Sequence, residues 1–195
     1  MKKLGILLTA TALLAFVGCK NDKKTTDATD TVETEVVEKE NEKEEIKSLS
    51  VIMEPKSDSK VEGEAFFQQS DGKVRMEAKF AGLTPGVHAI HLHEKADCSS
   101  ADGTSTGGHW NPTHERHGKW GDAEGYHKGD IGNFEADAEG NGSIVFETDQ
   151  WCIGCGDETK DILGKAVIVH EGADDFVSQP TGDAGGRVSC GGIIK

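Results

Sequence analysis

The sequence predicts an all-β domain, on three observations. From residue 49 onward, strand-like runs are separated by turn clusters of glycine, asparagine and aspartate. The composition is rich in glycine, with 25 residues, and poor in leucine, and no long amphipathic helical pattern is present. The runs are short, and eight of them can be placed, which suits a sandwich or flattened barrel.

In chain order the predicted strands are 49–54, 61–68, 74–80, 88–93, 132–136, 142–147, 166–170 and 187–190. Ser70-Asp71-Gly72-Lys73 and Ala138-Glu139-Gly140-Asn141-Gly142 read as hairpin turns, because glycine and asparagine tolerate the positive φ such turns need. In the fourth strand His91 and His93 fall on one face, and Ile90 and Leu92 on the other. Two long stretches, 94–131 and 171–186, fit no strand. Loops of that length inside a compact domain call for a function or disorder. The first contains His109, His117, His127 and Asp130, so metal ligation would order it.

The chain ahead of the domain divides in two. Residues 1–18 begin with Lys2 and Lys3 and continue as an apolar run too short to span a membrane as a helix, ending at Cys19. This resembles a bacterial lipoprotein signal, which implies that Cys19 becomes a lipidated N-terminal anchor in a membrane. A plain secretory signal is the alternative, and either places the mature protein outside the cytoplasm, facing the periplasm or the cell surface. Residues 19–48 carry Thr, Asp, Glu and Lys with no aromatic residue, which predicts a flexible acidic tether. Residues 49–195 form the domain. With a net charge of −14 the chain is not read as a nucleic-acid binder.

Function is concentrated in the histidines. An isolated H-x-H is more often an ordinary half-buried strand, but His109, His117, His127 and His170 join His91 and His93, mostly beside glycine, proline or aspartate. Together they read as a metal site. His91-Leu92-His93-Glu94, Gly107-Gly108-His109-Trp110-Asn111-Pro112, His127-Lys128-Gly129-Asp130, Val169-His170-Glu171 with Asp174-Asp175, and Gly185-Gly186-Arg187-Val188-Ser189-Cys190 resemble the copper/zinc superoxide dismutases, in the family's order.

That resemblance implies a Greek-key flattened barrel with long metal-binding and electrostatic loops, and superoxide as substrate. It implies copper ligation by His91, His93, His109 and His170, and zinc ligation by His109, His117, His127 and Asp130, with His109 bridging the two metals. Imidazoles suit copper and zinc alike, and three nitrogens with one carboxylate suit a closed, structural zinc site. Asp174 matches the aspartate that accepts hydrogen bonds from a copper-ligand and a zinc-ligand histidine, here His91 and His117. Arg187 matches the arginine at the copper mouth, where an acidic protein needs local positive charge to draw in an anion. In the implied cycle Arg187 guides the anion, and His109 takes and returns a proton.

Five cysteines are present. Beyond Cys19, the resemblance implies a disulfide between Cys98 and Cys190. Cys152 and Cys155 lie outside the family pattern; a C-x-x-C can be a short disulfide, a redox pair or half of a metal site, and a local disulfide is the reading we favour. His88, on the core-facing parity of its strand, is expected to be a hydrogen-bonded structural residue, and His114 a solvated one. A copper-storage lipoprotein and a zinc-binding scaffold are the competing functions, and Arg187 and Asp174 argue against both. The sequence is compatible with a monomer or a homodimer.

Overall fold

The structure, a computed structural model, describes residues 46–195. The expected signal segment, Cys19 and the tether as far as residue 45 lie outside the described residues. Eight strands follow in order: β1 Lys47–Pro55, β2 Glu62–Ser70, β3 Lys73–Ala81, β4 Gly86–His93, β5 Gly132–Ala136, β6 Gly142–Thr148, β7 Ala166–His170 and β8 Arg187–Gly192. Each predicted strand is present, with ends shifted by no more than two residues. β1 therefore starts at Lys47, two residues inside the stretch expected to be tether.

Alternating side chains make these strands. β3 is the clearest case, with Val74, Met76, Ala78 and Phe80 buried and residues of the opposite parity turned outward. Removing Phe67 or Met76 from water contributes about 1.5–3 kcal/mol each. The β2–β3 hairpin closes from Ser70 to Lys73 through Asp71 (φ 50°) and Gly72 (φ 72°). Two consecutive positive φ values are the requirement of the tight hairpin turn, which Asp-Gly meets at little cost.

The spatial order is β1-β2-β3-β6-β5-β4-β7-β8, antiparallel throughout, and β8 returns to β1 through Glu54 opposite Cys190. The runs β3-β6-β5-β4 and β6-β5-β4-β7 are overlapping Greek keys. Two seams of the closed barrel are short, Glu54 and Pro55 opposite Cys190 and Ser189, and Ala136 opposite Gly142.

β4 departs from simple alternation, since every residue from His88 to His93 is buried. Ile90 and Leu92 join Val167 and Val169 of β7 in the barrel core. The other face of the two strands carries His91 and His93 with Ala166 and Ile168, and Ile168 packs on Cys190 and Cys98. The loops 94–131 and 171–186 cover that outer face; among the described residues their one helical turn is the 3-10 turn Thr104–Thr106.

Candidate metal centre

Backbone pairing carries the first three histidines into place. His91 and His93 sit at successive outward positions of β4, and an antiparallel bridge sets His109 opposite His93. Flanking bonds lock that bridge: Trp110 N–H to the Leu92 carbonyl at 2.8 Å and Glu94 N–H to the Gly108 carbonyl at 3.1 Å. His170 ends β7 at a register shift between Val169 and His170, which pairs it with Arg187 of β8. Such irregularities re-aim a side chain at a functional site.

Two groups of side chains result. His91, His93, His109 and His170 form one, and His109, His117, His127 and Asp130 the other; within each, candidate ligand atoms lie within 4.8 Å of one another. His109 belongs to both. All of these residues are buried, His91, His93 and His117 completely.

Hydrogen bonding decides which ring nitrogens remain to act as ligands. His93 Nδ1 donates to the Gly107 carbonyl (2.9 Å) and His170 Nδ1 to the Gly185 carbonyl (3.2 Å). His91 Nε2 and His117 Nε2 donate to the two oxygens of Asp174, at 2.8 and 2.9 Å. A neutral imidazole that donates from one nitrogen holds a lone pair on the other. Among the described residues six buried nitrogens have no hydrogen-bond partner: His91 Nδ1, His93 Nε2, His109 Nε2, His170 Nε2, His117 Nδ1 and His127 Nδ1. Buried polar atoms without partners are costly, so six of them facing one another fit cations and fit little else.

The second group contains the Asp130 carboxylate. His109 Nδ1 is 2.8 Å from Asp130 Oδ1, while His117 Nδ1 (2.9 Å) and His127 Nδ1 (3.2 Å) lie close to it without hydrogen-bond alignment. The His127 backbone N–H donates to Asp130 Oδ2 (2.8 Å), fixing the carboxylate. Three nitrogens and one carboxylate oxygen fit tetrahedral zinc, and four imidazole nitrogens fit copper. Both groups therefore suit the two metals.

Burial pushes His93 and His170 well below the usual imidazole range, with the neighbouring rings adding to the effect. Burial likewise brings His109 down to about 4, only partly offset by Asp130. His117 goes the other way: burial would lower it, but Asp130 and Asp174 together raise it to about 9. Burial would raise Asp130 and Asp174, yet their histidine partners hold both carboxyls below the ordinary range. His93, His109 and His170 are thus held neutral and ready to ligate, and the charge on His117 is compensated by Asp130 and Asp174.

Arg187 stands at the edge of the first group with a fixed guanidinium. Nη1 donates to the Gly103 carbonyl (2.7 Å) and to Thr106 Oγ1 (2.9 Å), and Nη2 donates to the Gly107 carbonyl (2.8 Å). The Gly107 carbonyl therefore holds both His93 and Arg187. Cys98 and Cys190 are disulfide-bonded, tying the segment after β4 to β8 three residues beyond Arg187. Cys152 and Cys155 are bonded to each other. His88 is a structural residue, its ring bridging the His170 and Thr84 carbonyls at 2.9 and 2.8 Å, and His114 is exposed.

Several supports had no counterpart in the sequence reading. Gln179 clamps His117 through both backbone groups, at 2.9 Å each, and Asn133 of β5 clamps the Asp174 backbone, at 2.8 Å each. Gly182 (φ 71°) lies so close that a Cβ there would collide with the Asp174 carboxylate and the His117 ring.

Comparison with known proteins converges on the same region. The family described as copper/zinc superoxide dismutase (SODC) matches residues 61–193. Superoxide dismutase [Cu-Zn] 2 of Mesembryanthemum crystallinum is 37% identical over 153 residues, covering 75% of this chain and 93% of that protein. Among solved structures, a double mutant of a SOD-like protein from Bacillus subtilis superposes with a TM-score of 0.67 at 31% identity, covering 75% of this chain and 97% of that one. The barrel, the paired histidine groups and these relatives agree over one stretch, and the chain belongs to the copper/zinc superoxide dismutase family of oxidoreductases.

Proposed function

We infer that this chain dismutates superoxide to oxygen and hydrogen peroxide outside the cytoplasm. The observation that carries the reading is the set of six partnerless buried nitrogens among the described residues. His91, His93, His109 and His170 would hold copper, and His117, His127 and Asp130 would hold zinc together with His109, which belongs to both groups. Bound copper would supply a one-electron redox couple, and a closed zinc site would be structural.

The protein's own groups supply the rest. Arg187 offers a fixed positive charge beside the first histidine group, which draws a small anion inward against the net charge of −14. His109 Nε2, a ring nitrogen without a hydrogen-bond partner, is the atom that would take and return a proton. Asp174 keeps His91 and His117 in the tautomers whose Nδ1 atoms face the metal groups.

The extracytoplasmic setting is supported by the apolar run ending at Cys19 and by two disulfides, which persist in oxidising compartments. In that reading Cys19 is lipidated and residues 20–46 hold the domain off a membrane. Replacing Cys19→Ser should abolish incorporation of radiolabelled palmitate and release the protein from membranes; unchanged membrane association contradicts the anchor. His93→Ala should remove copper and dismutase activity while zinc is retained. Full activity in that variant would contradict the copper assignment.

A further inference from the structure

Beyond the histidine centre, a second cluster of ligand-type side chains is present among the described residues. Cys152, Cys155 and Asp161 bring two sulfurs and a carboxylate oxygen within 4.8 Å of one another. The sulfurs are joined as a disulfide, but other bonds also hold the loop's shape. Asp161 accepts hydrogen bonds from the backbone N–H groups of Gly154 (2.9 Å), Gly156 (2.9 Å) and Leu163 (3.1 Å). Cys152 is pinned independently, its N–H on the Lys160 carbonyl (2.9 Å) and its carbonyl on the Ile162 N–H (3.1 Å). Opening the S–S bond therefore leaves the three donors close together.

The two sulfurs differ in access. Cys152 is 7% exposed, whereas Cys155 lies on the surface between two exposed glycines. An incoming thiolate meets Cys155 Sγ, and Cys152 is the leaving group. Beside Asp161 a groove of about 550 Å³ is lined by Glu94, Glu158 and His114, with Lys165 as its one cationic side chain. The acidic excess favours approach of a cation from that side.

We propose that Cys152, Cys155 and Asp161 form a redox-gated metal site, closed as a disulfide when oxidised and open to a divalent d10 cation such as Zn(II) when reduced. A dithiol reductant attacks Cys155 Sγ, the Cys152–Cys155 bond breaks, and a mixed disulfide forms at Cys155. The reductant's second thiol then displaces Cys155 and becomes a cyclic disulfide, so two electrons and two protons pass to the cysteine pair. Binding M(II) releases two protons as the two sulfur–metal bonds form. Two thiolates and a carboxylate repel one another without a cation and suit a thiophilic one with it; water completes the tetrahedron. The fixed loop supplies the geometry, and the oxidation state decides whether ligands are available.

The test uses the full chain loaded with copper and zinc, titrated with dithiothreitol, freed of the reductant by anaerobic gel filtration and then titrated with Cd(II), whose thiolate bonds absorb in the ultraviolet. Peptide mapping of alkylated thiols should find Cys152 and Cys155 opened at a dithiothreitol concentration at least tenfold below that needed for Cys98 and Cys190. One equivalent of Cd(II) should then produce the sulfur-to-metal band. Cys155→Ser should abolish the band, and Asp161→Asn should weaken Cd(II) binding several-fold while keeping it. The proposal is overturned if the pair resists reduction until Cys98–Cys190 opens, if the reduced pair gives no band, or if Cys155→Ser leaves the band unchanged.

Discussion

At the scale of single residues, one acceptor often sets two functional groups at once. Asp174 fixes His91 and His117, one from each metal group, so its loss should affect both metals. Asp174→Asn is expected to weaken copper and zinc affinity by roughly 10–100-fold, because an amide cannot accept both N–H groups as a carboxylate does. Competition against a chelator of known affinity measures this, and unchanged affinity for both metals would contradict the positioning role. The Gly107 carbonyl serves His93 and Arg187 in the same way. Arg187→Gln should lower the superoxide rate constant by roughly tenfold or more while copper content stays the same. A variant that loses copper instead would make Arg187 a structural residue.

At the scale of elements, the strands were legible and the loop clamps were not. Alternation in β3 and the Asp71-Gly72 turn are written locally, so the sequence places them within two residues. His91 and His93 were legible for the same reason, as two side chains on one face of a strand. His109, His117 and His127 were found as residue types suited to metal, and their grouping came from resemblance to a family. Nothing local to Gln179 or Asn133 reveals that each grips a backbone 62 or 41 positions away. The burial of both faces of β4 was hidden too, because it depends on how the two long loops fold back. The Cys98–Cys190 bond closes a separation of 92 residues and holds one of those loops against β8. Replacing Cys98→Ser with Cys190→Ser should cost about 2–5 kcal/mol in urea unfolding and mobilise the segment that carries Gly103 and Thr106, the partners of Arg187. Unchanged stability would show that the loop is held by its hydrogen bonds alone.

At the scale of the whole molecule, the metal groups make the fold's stability depend on pH when metal is absent. Unfolded histidines take up protons near pH 6.5, whereas His93, His109 and His170 in the fold resist protonation to much lower pH, about 4 for His109. The unfolded chain binds more protons in that window, so stability present above pH 6.5 is lost as pH falls towards 4, His109 alone contributing about 3 kcal/mol. His117 acts on the alkaline side: with its pKa raised to about 9, its stabilisation is complete below pH 6.5 and lost as pH rises through 9. The urea midpoint of the metal-free chain should therefore peak near neutral pH, and a midpoint that stays flat from pH 4 to 6.5 would contradict the burial of these rings. Strands of the barrel carry His91, His93, His170 and Arg187, and the loop 94–131 adds His109, His117, His127 and Asp130. The measurement that tests this account most directly is the rate of superoxide disappearance per bound copper, followed as ionic strength is raised. The account predicts a rate constant near the diffusional ceiling, roughly 10⁸–10⁹ M⁻¹s⁻¹, that falls with added salt. Copper held tightly with no decay beyond that of buffer would make the chain a copper-binding protein and contradict the proposed activity.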